Sequence, residues 1–98
     1  MSASGTVVTL ASNASATSTF QFSWQGGAGM FSAEATWGGG TVKLQVLTQQ
    51  SGGATWVDVG PDTTFTANGA AGFILPVNAQ IRASIATATA VYAYVVAL

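Results

Sequence analysis

The 98-residue chain lacks cysteine and histidine altogether and carries only five charged side chains. Without cysteine it can form no disulfide and no thiolate metal site. Without histidine it lacks the side chain that most often transfers protons near neutral pH. Its charged fraction of 5% is far below the 25–35% or so that keeps the surface of a small domain soluble. The sequence therefore argues against an enzyme and favours a protein that packs against neighbours.

The five charges are also too scattered to form a site. General acid–base catalysis and calcium binding both need gathered carboxylates, and the three acids here are far apart along the chain. Two basic residues cannot neutralise a phosphate backbone. We therefore predict no catalytic, cofactor-binding or metal-ligating residue and no nucleic-acid partner, and we expect Arg82 to pair with a carboxylate or with a neighbouring chain. The charged residues are Glu34, Lys43, Asp58, Asp62 and Arg82.

Long hydrophobic runs are missing as well. The longest apolar run, 90–98, has nine residues, whereas a membrane-spanning helix needs about 20. The N-terminal segment MSASGTVVTL has neither the basic region nor the apolar stretch of a signal peptide. The sequence thus predicts no membrane partner and synthesis in a cytoplasm without export.

The sequence does contain a clear β pattern. Alanine, glycine, serine and threonine make up 52 residues, but ten aromatic residues and ten valines are interspersed among them. Apolar and polar side chains alternate, and turn-forming clusters interrupt this alternation every eight to twelve residues. We predict an all-β fold, an antiparallel β-sandwich or jelly-roll-like domain spanning 1–98, with 1–5 as a short flexible tail. The eight or so strands are expected at 5–11, 18–24, 29–37, 41–49, 54–59, 63–67, 71–75 continuing at 79–86, and 89–97.

The run TWGGGTVKLQV predicts a β-hairpin. A two-residue type I′ turn at Gly39-Gly40 needs positive φ at both positions, which glycine adopts without steric cost. In that register Trp37 faces Val42, and apolar and polar side chains separate onto opposite faces. Glu34 and Lys43 then become diagonal neighbours on the polar face.

The last strand is apolar on both faces, because Val91, Ala93 and Val95 alternate with Tyr92, Tyr94 and Val96. In a two-layer sandwich only one face meets the core, so the other must meet a tail, a loop or another subunit. We favour another subunit. Large aromatic residues are frequent anchors of protein interfaces. The predicted interface residues are Trp56, Tyr92, Tyr94 and Arg82.

A second interpretation is that the aromatic residues form a platform on which a sugar ring stacks. Tryptophan and tyrosine side chains could provide it, but Trp24 and Trp37 are expected on core faces. Aromatic residues also fill cores and protein interfaces more often than they line ligand sites. The platform therefore remains an alternative.

Five stretches make the chain resemble the small all-β capsid decoration (cement) proteins of tailed bacteriophages: GTVVTL, SATS, FSWQGGAGMFSAEATWGGGTVKLQV, WVDVG and LPVNAQIRASI. The resemblance implies a virion location on the capsid surface, assembly in the host cytoplasm and binding to the major capsid protein. It also implies self-association, with a homotrimer favoured. Such proteins clamp neighbouring capsid subunits from outside. Two alternatives stay open: another virion component, such as a head-fibre base, tail part or small coat protein, and a glycan-binding β-sandwich.

Overall fold

The computed structural model describes residues 7–17, 22–50 and 53–97, and within them the chain is all-β, as predicted. The strands are short and separated by turns. One 3-10 turn, Pro61–Thr63, lies in a connection. The strands are β1 (Val7–Ala14), β2 (Phe22–Ser23), β3 (Gly27–Thr36), β4 (Thr41–Gln50), β5 (Gly53–Asp58), β6 (Thr64–Phe65), β7 (Gly69–Leu75), β8 (Gln80–Ala86) and β9 (Thr89–Ala97).

The strands form two antiparallel sheets. Sheet 1 has the order β1-β9-β3-β7, and sheet 2 has the order β2-β8-β4-β5, with β6 also pairing with β4. The pairs β4–β5, β3–β7, β2–β8 and β1–β9 are nested one outside the other along the chain. This is one long antiparallel ribbon rolled up so that its successive segments alternate between two sheets. That topology is an eight-stranded jelly roll, with β6 as an addition.

The core lies between the sheets and contains one strand face from each of them. Phe31, Val42 and Leu44 are fully buried, and Trp24 is buried as predicted. The indole of Trp24 packs against the ring of Phe73, with 4.9 Å between the ring centroids. The alternation that predicts strands thus also gives the correct inward faces. The remaining buried apolar residues are Leu10, Ala11, Ala33, Ile81, Ala83, Ile85, Ala88, Val91, Ala93, Val95 and Ala97.

The predicted hairpin of β3 with β4 is wrong. Strand β3 pairs with β7 and β9 in sheet 1, whereas β4 pairs with β5, β6 and β8 in sheet 2. The glycine turn is present one residue earlier: Gly38 and Gly39 have φ of 51° and 83°, and Gly40 N donates to Trp37 O at 2.6 Å. It carries the chain from one sheet to the other. Alternation alone cannot distinguish strands that pair within a sheet from strands that face each other across the core.

Other boundaries also differ from the predicted ones. The segment 71–86 is two strands in different sheets, β7 and β8, because Pro76 and Asn78 turn the chain between them; Asn78 has a φ of 69°. The glycine-rich segment 26–29, which lies between the strands expected at 18–24 and 29–37, enters β3 at Gly27. Pro61 and Asp62 lie in a turn that connects the strands expected at 54–59 and 63–67. The tail 1–5 and the first part of the strand predicted at 18–24 lie outside the described residues.

Candidate interaction surfaces

Each sheet turns one face toward the core and one face outward. The outward face of sheet 2 is called here the charged face. Cross-strand pairing places its members together, since Gln45 is opposite both Asp58 and Arg82, and Trp56 is opposite Leu47. It carries three of the five charges of the chain. The charged face consists of Lys43, Gln45, Leu47, Trp56, Asp58, Arg82 and Ser84.

The polar groups of the charged face bind one another. Arg82 Nε and Nη2 donate to Gln45 Oε1 at 3.0 and 2.8 Å, and the Arg82 guanidinium carbon lies 4.4 Å from the centroid of the Trp56 ring. Gln45 Nε2 donates in turn to Asp58 Oδ1 at 2.9 Å. Lys43 Nζ lies 3.3 Å from Asp58 Oδ2. Among the described residues Arg82 therefore binds a glutamine and an indole in place of the expected carboxylate, and its contact with a neighbouring chain stays a prediction.

Asp58 is the acceptor at the end of this network. The hydrogen bond from the Gln45 amide is the largest influence on the Asp58 carboxyl and lowers its pKa; desolvation opposes this effect, and the neighbouring Lys43 ammonium lowers the pKa further. The side chains of Lys43 and Asp58 are 35% and 43% exposed, so solvent screens this ion pair. The ion-pair partner of Lys43 is Asp58. The predicted diagonal pair of Lys43 with Glu34 is wrong, because Glu34 lies in the other sheet.

The outward face of sheet 1 is called here the tyrosine face. Three of its large apolar or aromatic side chains are exposed: Ile74 is 77% exposed, Val7 57% and Tyr92 45%. Glu34, opposite Tyr92 near one end of the sheet, supplies its single charge. The tyrosine face consists of Val7, Thr9, Met30, Ser32, Glu34, Ala70, Gly72, Ile74, Tyr92, Tyr94 and Val96.

A shallow groove of about 460 Å³ crosses one end of the tyrosine face. Tyr92 and Tyr94 line it on one side, and the small residues Ser32 and Ala70 lie between them and the sheet edge. Asn68 lies at the same end; its Oδ1 accepts hydrogen bonds from Trp37 Nε1 at 2.8 Å and from Ala35 N at 3.1 Å. The groove thus combines aromatic rings with a fixed side-chain amide and the carboxylate of Glu34.

The four predicted interface residues fall on opposite sides of the molecule. Trp56 and Arg82 contact each other on the charged face, while Tyr92 and Tyr94 are next-but-one neighbours on the tyrosine face. A single flat contact cannot include all four. Because Trp56 and Arg82 already bind groups of their own sheet, the two tyrosines are the stronger candidates for contact with another molecule.

Two residues that form hydrogen bonds at these surfaces were missed in the sequence, Gln45 and Asn68. Gln45 looks like any outward strand residue, and its role depends on Arg82 and Asp58 arriving on either side of it from β8 and β5. Asn68 stands in the connection between β6 and β7, where asparagine is an ordinary turn residue. Its approach to Trp37, 31 positions away, follows from the nested strand pairing.

Within the ranges 7–17, 22–50 and 53–97, no group of three potential metal-ligating side chains occurs, and no helix is long and apolar enough to cross a membrane. Comparison of the chain with protein-family models, with curated proteins and with solved structures found no match.

Proposed function

We propose that the chain is a non-enzymatic structural protein of a virion, a capsid decoration protein that binds the outer surface of the major capsid lattice and stabilises the shell. The observation that carries the proposal is the uneven distribution of charge between the two sheets. Three charges lie in the bonded network of the charged face, and the tyrosine face carries one, near its end. A surface that docks on another protein buries few charges and many aromatic side chains.

The tyrosine face is the docking surface in this proposal. Burying a charge that has no partner costs roughly several kcal/mol of desolvation free energy. The centre of the tyrosine face carries no charge, so burying it against another protein does not incur this cost. Tyr92 and Tyr94 are anchors of the kind that contribute most to protein association. Many copies on a lattice then hold the shell together by the sum of repeated contacts.

The fold gives further support without deciding the function. Double-sheet jelly rolls are common in viral capsid proteins and in lectins. A fold by itself does not define an activity, so the argument rests on the surface. The resemblance of the sequence to phage decoration proteins agrees with the same proposal.

The test uses purified chain and expanded capsids that lack it, prepared from the phage that encodes it. We expect saturable binding at a fixed ratio to the major capsid protein, and a higher capsid disruption temperature once the chain is bound. A Tyr92→Glu variant should bind at least tenfold more weakly, because it places a charge in the contact. The matched control is Ser84→Glu, which places the same charge on the charged face.

Each outcome has one meaning. Wild-type chain that never adds to capsids, or capsids whose heat resistance is the same with and without it, contradicts the decoration role. Equal loss of binding in Y92E and S84E contradicts the choice of the tyrosine face. Binding to tails or fibres in place of capsids favours another virion component.

A glycan-binding role is the second candidate, and the groove beside Tyr92 and Tyr94 is the observation that favours it. Aromatic rings stack on sugar rings, and the Glu34 carboxylate and the Asn68 amide are suitable partners for sugar hydroxyls. Isothermal titration with a panel of oligosaccharides tests it, with Tyr94→Ala as the variant. Binding that is absent for the whole panel, or unchanged in Y94A, removes this candidate.

A further inference from the structure

Asn68 is followed by glycine, whereas the other two asparagines of the chain, Asn13 and Asn78, are followed by alanine. Asparagine is a chemically labile residue, because the backbone nitrogen of the next residue can attack its side-chain amide. A glycine in the next position places no Cβ beside that nitrogen and leaves the backbone free to adopt unusual conformations. The reaction therefore meets the least steric resistance at Asn68-Gly69.

The fold places this pair of residues where the reaction is accessible. Asn68 is exposed and lies in the bend between β6 and β7. Gly69 is the first residue of β7, and its pairing with Ala33 is at the end of the described ladder between β3 and β7. Pairs at the end of a ladder open at a lower free energy than pairs at its centre. The Gly69 nitrogen can therefore be released while the rest of the sheet stays paired.

The side-chain oxygen of Asn68 is held by two N–H donors. Trp37 Nε1 donates to it at 2.8 Å and Ala35 N donates at 3.1 Å. When a nucleophile adds to an amide carbon, the carbonyl oxygen becomes an oxyanion, and N–H groups about 2.7–3.1 Å away stabilise that charge. Both donors lie within this range. The two N–H groups thus form an oxyanion hole around an amide of the chain itself.

We propose that Asn68 is the site of a spontaneous self-modification. The Gly69 nitrogen gives up its proton to solvent and forms a bond to Cγ of Asn68. Trp37 Nε1 and Ala35 N stabilise the oxyanion that forms on Oδ1. The Cγ–Nδ2 bond then breaks, and the nitrogen takes up a proton and leaves as ammonia. Water opens the resulting cyclic imide at either carbonyl, which gives aspartate or isoaspartate at position 68.

The product changes the groove at the end of the tyrosine face. Asn68 and Glu34 both line this groove, so the modification places a second carboxylate there. Isoaspartate also adds one carbon atom to the main chain immediately before β7. The reaction consumes water and requires no other molecule, so the proposal does not depend on the capsid role.

Incubation of the purified chain at mildly alkaline pH, followed by peptide mapping with mass spectrometry, tests the site. We expect Asn68 to lose its amide first, with ammonia released in equal amount, while Asn13 and Asn78 remain intact. The synthetic peptide TFTANGAAGF, residues 64–73, is the unstructured reference for the same chemistry. If the peptide reacts and Asn68 of the folded chain does not, the proposal is wrong. It is also wrong if Asn13 or Asn78 reacts first.

A Gly69→Ala variant tests the attacking nitrogen. The added Cβ crowds this nitrogen and should slow the loss of the amide several-fold; its nearest contact is the Phe65 ring, at 3.3 Å. The matched control is Gly72→Ala in the same strand, which should react at the wild-type rate. If G69A reacts as fast as G72A, attack by the Gly69 nitrogen is contradicted.

A Trp37→Phe variant tests the oxyanion hole. It removes the Nε1 donor and keeps an aromatic ring, so the loss of the Asn68 amide should become several-fold slower. A hydrogen bond that only restrains the side chain has the opposite effect, because its loss frees the amide to react faster. A W37F variant that reacts at the wild-type rate or faster therefore overturns the oxyanion role of Trp37.

Discussion

The guanidinium of Arg82 lies over the indole of Trp56, with its central carbon 4.4 Å from the ring centroid. The same guanidinium donates two hydrogen bonds to Gln45, so side chains from β8, β4 and β5 are tied together across sheet 2. Two side chains that look from the sequence like free interface residues are therefore bound to their own sheet. For this reason we propose the opposite, tyrosine face as the surface for another molecule.

The first prediction concerns the energy of the Arg82–Trp56 contact. A double-mutant cycle with Arg82→Met and Trp56→Leu should give a coupling of about 0.5–1 kcal/mol, the usual value for an exposed cation–π pair. Urea unfolding at one fixed protein concentration measures it. The control cycle pairs Lys43→Met with Trp56→Leu. A coupling for Arg82 no larger than that control contradicts the prediction.

The second prediction concerns pH. The pKa of Asp58 is held below its ordinary value of 3.8, chiefly by the Gln45 amide, so its folded-state pKa is lower than its unfolded one. The stability it contributes is present above the unfolded pKa and is lost as the pH falls through the folded pKa. Asp58→Asn should therefore lose less stability than the wild type between about pH 5 and pH 2. The effect is below about 1 kcal/mol, because solvent screens the site.

Urea midpoints at the two ends of this pH range measure that difference. Glu34→Gln is the control, since it removes a carboxylate from the other sheet. If D58N loses as much stability in acid as the wild type, the assignment to Asp58 is wrong. It is also wrong if E34Q reduces the acid-induced loss of stability as much as D58N does.

Strand positions and inward faces could be predicted from the sequence, because burial on one side of a sheet requires alternation. Ile81, Ala83 and Ile85 are buried as the pattern predicts, and Arg82 and Ser84 lie outward. Strand partners could not be predicted in the same way. Ala33 on β3 and Leu44 on β4 are both buried, and the apolar pattern is the same whether two strands are neighbours in one sheet or face each other across the core.

The candidate surfaces depended on those strand partners. Tyr92 and Tyr94 could be predicted as outward and unusually apolar from β9 alone, because both faces of one strand can be read without knowing its neighbours. The contact between Trp56 and Arg82 could not be predicted in this way, because it requires β8, β4 and β5 to lie side by side.

The third prediction concerns Asn68, whose side-chain oxygen accepts from both Trp37 Nε1 and Ala35 N. Asn68→Ala removes the acceptor and should lower the free energy of unfolding by about 1–2 kcal/mol, because two donors lose their partner. Asn68→Asp keeps an acceptor in the same place and should cost clearly less. Thermal unfolding of the three proteins measures these losses. Equal losses in N68A and N68D contradict the acceptor role.

The last prediction concerns close packing at Gly29 in β3. A Cβ at this position lies 2.6 Å from ring atoms of Trp24 and 2.8 Å from Phe73, so Gly29→Ala forces the aromatic pair apart and should destabilise the fold by about 1–3 kcal/mol. The matched control is Gly72→Ala in the neighbouring strand, where the added Cβ has ordinary contacts and the expected change is small. Urea unfolding compares the two. A G29A variant as stable as G72A shows that the Trp24–Phe73 pair yields at no cost, which a well-packed core does not allow.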